Sequence, residues 1–124
     1  MATVWAVVTT EVAGLHCWPD AGMHAPYLSN KHRHVFKVVV WIEQAHDDRE
    51  IEYIWFKDVL DSYYRRKLGD QSIIDFGHRS CEMLARELVN ALRTMEPAWE
   101  RRSIKVQVME DGENGALLES PASS

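Results

Sequence analysis

Apolar and polar positions alternate from Trp5 to Leu15, a run rich in valine and threonine, and this period of two predicts a β-strand. Cys17 to Lys31 has no period and contains two prolines, Gly22 and Asn30, which predicts a loop. Val35 to Glu43 alternates again, so the first two apolar runs are expected to pair as an antiparallel hairpin with a long, irregular tip. After the turn Asp47-Asp48-Arg49, Glu50 to Trp55 also alternates, with Ile51, Tyr53 and Trp55 on one side. From Phe56 the period lengthens. Phe56, Val59, Leu60, Tyr63, Tyr64 and Lys67 follow helical spacing, and Gly69 is a suitable stop. Asp70 to Arg79 reads as a connector with an apolar patch at Ile73, Ile74 and Phe76. Ser80 can cap a second helix, supported by Glu82 in its first turn. The stripe of that helix is Met83, Leu84, Leu88, Ala91, Leu92 and Met95, ending before Pro97. Ser103 to Glu110 alternates, and Ala116-Leu117-Leu118 offers a short returning strand before a frayed end.

This order predicts an α+β domain, a small antiparallel four-stranded sheet with both helices on one face. The domain is expected to span 1–118, with 119–124 as a flexible tail. Some strands are apolar on both faces (Val39 and Trp41 opposite Val38 and Val40), and two helices cover only one. The other face is therefore expected to close against further subunits.

Composition narrows the function classes. The 124 residues suffice for one domain, and 46% hydrophobic with 27% charged is ordinary for a soluble globular chain. A net charge of −5 argues against nonspecific nucleic-acid binding, which needs a basic footprint. No apolar run approaches the ~20 residues of a membrane span. The first residues lack the basic and apolar regions of a secretory signal. Cys17 and Cys81 are widely spaced with no Cys-x-x-Cys, so a reduced, cytoplasmic setting is expected.

The candidate chemistry lies in three histidines. His32-Arg33-His34 heads the second strand, and residues two apart on a strand share a face. Both rings have the parity of Phe36, Val38 and Val40, and His16 has the parity of Ala6 and Val8. Imidazoles on apolar faces need partners, and three of them around one ion leave the open fourth position of a catalytic zinc site. His24, His46 and His78 lack such an arrangement and read as ordinary. Glu110 ends the apolar face of Ile104, Val106 and Val108. The residues alone leave it open between a ligand-facing carboxylate and a solvated strand-end acid. Glu82 is open in the same way, since a first-turn glutamate also serves the helix dipole.

The order of elements resembles the 6-pyruvoyl-tetrahydropterin synthase and 6-carboxy-tetrahydropterin synthase family. The resemblance rests on Gly14-Leu15-His16, on His32-Arg33-His34 for the family's His-Gly-His, on Ser80-Cys81-Glu82-Met83-Leu84-Ala85 and on Val106 to Glu110. It covers nearly the whole chain. It implies the T-fold, sheets joined into an oligomeric barrel (usually a homo-hexamer), and active sites between subunits. It further implies Zn²⁺ held by His16, His32 and His34, and a pterin or purine-like ring anchored by Glu110, with Glu82 a lesser candidate. A carboxylate accepts two parallel N–H donors in the fork geometry it uses for arginine.

The family's base is a cysteine a few residues before the His-x-His, where this chain has Tyr27-Leu28-Ser29-Asn30-Lys31. Its later Asp-His pair falls at Asp70-Gln71, and glutamine cannot shuttle a proton. Asp70 and His78, with His24 behind them, are the remaining acid-base candidates, and Cys17 is expected to point away from the metal as inert packing. Lys31, Arg33, Arg65 and Arg66 can receive phosphates or be solvated charges. The expected activity is a zinc-dependent pterin-type lyase acting on a dihydroneopterin triphosphate-like substrate. A catalytically inert homologue that binds a pterin or purine is the alternative.

Overall fold

Two long runs of β-branched residues dominate the sheet. β1 (Val4–His16) and β2 (His32–Gln44) pair antiparallel over their full length, from Val4 opposite Gln44 to His16 opposite His32. A computed structural model describes residues 2–123. β4 (Ile104–Glu110) adds to the far side of β2 with Phe36 opposite Glu110, and β5 (Asn114–Ser120) pairs with β4. A two-residue strand, β3 (Ile74–Asp75), runs parallel to Gly14 and Leu15, giving the order β3-β1-β2-β4-β5. The sheet therefore has five strands, not the four expected. The added one lies in the segment read as a connector, and its Ile74 and neighbouring Phe76 are buried.

The helices are α1 (Tyr53–Leu68) and α2 (Cys81–Met95). Phe56, Leu60 and Tyr64 of α1, with Leu84, Ala85, Leu88 and Leu92 of α2, share one core cluster with Ala6, Val8, Phe36, Val38, Val40, Val106 and Val108. Both helices thus cover the same sheet face, as expected of an α+β domain. Val7, Val35 and Leu117 remain exposed on the other face, where Val39 is buried.

Three local readings change. α1 begins at Tyr53 rather than Phe56, because the Glu52 carboxylate accepts from the Ile54 and Trp55 amides and caps the helix there. The alternation of Ile51, Tyr53 and Trp55 is therefore a capped helix start. In α2, Ser80 caps as expected by accepting from the Met83 amide, but Met83 and Met95 are exposed, and Ala85 and Val89 fill the core in their place. At the C-terminus β5 continues through Glu119 to Ser120, and the Ser123 amide donates to the Glu100 carbonyl. Ser124, the end of the expected flexible tail, lies outside the described residues. No described helix is long and apolar enough to cross a membrane.

Candidate metal centre

The strand register creates the site. His16 and His32 are direct cross-strand partners, and His34 lies one pleat further along β2, opposite Gly14. Glu110 enters from β4 opposite Phe36, the residue two beyond His34. One ligand atom from each of His16, His32, His34 and Glu110 lies within 4.8 Å of the others. The ring centroids of the three imidazoles are 4.5, 5.0 and 5.2 Å apart.

Each ring is oriented by its other nitrogen. His16 Nδ1 donates to the Arg79 carbonyl at 2.9 Å and His32 Nδ1 to the Asn30 carbonyl at 2.9 Å. His34 Nδ1 donates to the Asp111 carboxylate at 2.7 Å. These groups only accept, so each ring carries a proton on Nδ1, and the neutral ring then presents a bare Nε2 lone pair. His16 Nε2 and His34 Nε2 are buried and have no hydrogen-bond partner among the described residues. Their nearest charged neighbour is Glu110 Oε2, at 2.9 and 3.3 Å. Both are contacts without hydrogen-bond alignment, so lone pairs face a carboxylate oxygen. Such an arrangement could hold a metal ion, and nitrogen donors with one carboxylate suit Zn²⁺.

The elements beneath the site hold it in place. The Phe36 ring packs edge-on against His16 and His34 at 5.1 and 5.7 Å, and Phe76 packs against Phe36 at 5.3 Å. A Cβ on Gly14 would lie 2.5 Å from the Phe76 ring, so glycine is what lets Phe76 cross the strand here. The Arg79 carbonyl is fixed by its chain segment, in which the Phe76 amide bonds Leu15 and the Gly77 carbonyl accepts from Cys17.

Asp111 was not foreseen. It follows Glu110 at the first central position of a turn closed by the Glu113 amide and the Glu110 carbonyl, with positive φ at both Asp111 and Gly112. That turn folds its carboxylate back onto His34 Nδ1 and the Val35 amide. The His34 hydrogen bond first, and the Val35 amide second, hold the carboxyl below the usual carboxylate range. The Asp-Gly dipeptide was the available signal. Replacing Asp111 with alanine is expected to weaken zinc binding about 10–100-fold, as loss of an orienting partner typically does, measurable by competition with a chelating dye.

A cavity of about 570 Å³ opens beside the imidazoles, between the ends of β1 and β2 and the start of α2. His16, His32, Glu110, Glu82, His78 and Trp18 are among the residues lining it. Cys17, the residue after the end of β1, also lines it. Cys81 lines it too, but burial, followed by the charges of Glu110 and Glu82, pushes its thiol up to about 12, so it stays protonated. Asp70 is exposed, accepts from Gln71 and does not line this cavity. Nor do Lys31, Arg33, Arg65 and Arg66; Lys31 pairs with Asp75, and Arg65 with Asp58. Among the described residues the one lining Lys or Arg, Arg79, is paired with Glu87.

Fold and site define an α+β protein of the T-fold class with a His/Glu cluster suited to a metal ion. The chain is similar to the crystal structure of an uncharacterised protein from Wolinella succinogenes, with a TM-score of 0.61 at 14% identity, over 95% of this chain and 98% of that one. It is equally similar to 6-pyruvoyl tetrahydropterin synthase of Plasmodium falciparum, with a TM-score of 0.61 at 14% identity, over 98% and 99%. At that identity the likeness establishes the fold. No family model and no curated protein sequence matches the chain.

Proposed function

We propose that this protein is a zinc-dependent pterin-type lyase, acting on a dihydroneopterin triphosphate-like substrate in the cavity beside the three histidines. The observation that carries the reading is the convergence of three imidazoles, each set by an Nδ1 hydrogen bond, two of which (His16 and His32) line a cavity of about 570 Å³. That volume suits a bicyclic ring with a side chain. When bound, zinc supplies Lewis acidity that polarises a carbonyl or hydroxyl of the substrate side chain. His16, His32 and His34 would hold it. Trp18 offers a planar face for the ring, and Glu110 and Glu82 offer carboxylates to its paired N–H donors. His78 is the cavity-lining candidate for proton transfer. Asp70 would have to act across a subunit boundary. The exposed sheet face at Val7, Val35 and Leu117 supports a homo-oligomer, a hexamer by resemblance.

The second reading, a pterin- or purine-binding protein without turnover, is favoured by one observation. Among the described residues no unpaired Lys or Arg lines the cavity to receive phosphates. Incubating zinc-loaded protein with dihydroneopterin triphosphate separates the two. Triphosphate release that His32→Ala abolishes supports the lyase, whereas tight binding without release supports the second reading.

A further inference from the structure

We infer that Glu110 is a fourth metal ligand, closing the centre in the ligand-free protein. The inference rests on the reading that His16, His32 and His34 hold zinc, and it adds the state of the fourth position. A tetrahedral ion with bonds of about 2.0–2.1 Å holds its donors about 3.3 Å apart. Glu110 Oε2 stands 2.9 Å from His16 Nε2 and 3.3 Å from His34 Nε2, close to the edge of such a tetrahedron. A carboxylate serving only as ring anchor would stand a ring's width away from the metal, to leave room for the substrate between them.

Two further observations agree. The Glu110 side chain is only 25% exposed, yet its carboxylate accepts no hydrogen bond and meets no Lys or Arg among the described residues. Its ionic neighbours there are the two imidazoles alone. A carboxylate three-quarters withdrawn from water, with no donor aimed at it, is stabilised by a cation beside it. The turn after Glu110 is also tied to the same site, because Asp111 grips both His34 Nδ1 and the Val35 amide. Glu110 and His34 are thus held relative to each other without the ion.

A closed set of four protein donors resembles structural zinc more than an open catalytic site. A substrate reaching the metal must displace Glu110. The displaced carboxylate remains at the cavity wall, free to accept the paired donors of a ring.

Cobalt titration of the metal-free protein tests this without any turnover. The wild type should show the intense visible bands of a four-coordinate centre, unchanged by added azide. Glu110→Gln, which keeps size and removes charge, should bind cobalt about 100-fold more weakly or worse, at or beyond the upper end for an orienting partner. Its spectrum should respond to azide. Far-UV circular dichroism confirms that the variant is folded, and Glu110→Asp, with a shorter reach, should fall between the two. An azide-sensitive wild type, or equal affinity in Glu110→Gln, overturns the fourth ligand and leaves the three-histidine centre standing. A wild type that binds no cobalt overturns both.

Discussion

Saturating zinc should raise the unfolding free energy of this protein by about 4 kcal/mol at a concentration 1,000-fold above its dissociation constant, since only the folded chain gathers the donors. For a chain of this length that corresponds to a rise in Tm of roughly 10–20 °C, measured by calorimetry with zinc against the same protein in chelator. The metal-free state gives the folded chain a reason to bind the ion. His16 Nε2 and His34 Nε2 are buried without hydrogen-bond partners among the described residues, and each such group costs about 1–3 kcal/mol. The folded chain carries that cost because the Nδ1 bonds to Arg79, Asn30 and Asp111 hold the rings in place regardless. His32→Ala removes one donor from a half-buried position and should abolish the zinc-induced rise, while its Tm in chelator stays near that of the wild type. A wild-type Tm indifferent to zinc would remove the metal centre from this account.

The imidazoles were legible in the sequence because strand parity is local: residues two apart share a face wherever the strand goes. Glu110 was legible as the end of an apolar face for the same reason. Its nearness to His16 and His34 was not, since that depends on the register of β4 against β2, which alternation does not encode. Two of the three orienting groups, the carbonyls of Arg79 and Asn30, have no side-chain signature at all. Asp111 has one, but its reach to His34 needed both the turn geometry and the register. The short strand β3 escaped because two residues cannot display a period. The start of α1 was misread because Ile51, Tyr53 and Trp55 alternate across a cap, and Glu52 was the cue that the period was about to change.

Phe36→Ala should be strongly destabilising, costing about 3–5 kcal/mol, as truncation of a buried phenylalanine does. Phe36 is 1% exposed and sits where the core meets the site. Its ring contacts Phe76 on one side and the rings of His16 and His34 on the other. Truncation would leave a void that Phe76 cannot fill without leaving its place across Gly14. The loss should therefore appear twice: in urea unfolding of the chelated protein, and again as weaker zinc affinity once the imidazoles lose the surface on which they rest. Phe36→Leu, which keeps most of the volume, should recover much of the stability but less of the affinity, because a branched aliphatic chain does not reproduce the flat edge contact with two rings. If Phe36→Ala unfolded at a lower urea concentration yet bound zinc as tightly as the wild type, the Nδ1 hydrogen bonds alone would suffice to orient the imidazoles, and the aromatic floor would serve stability only.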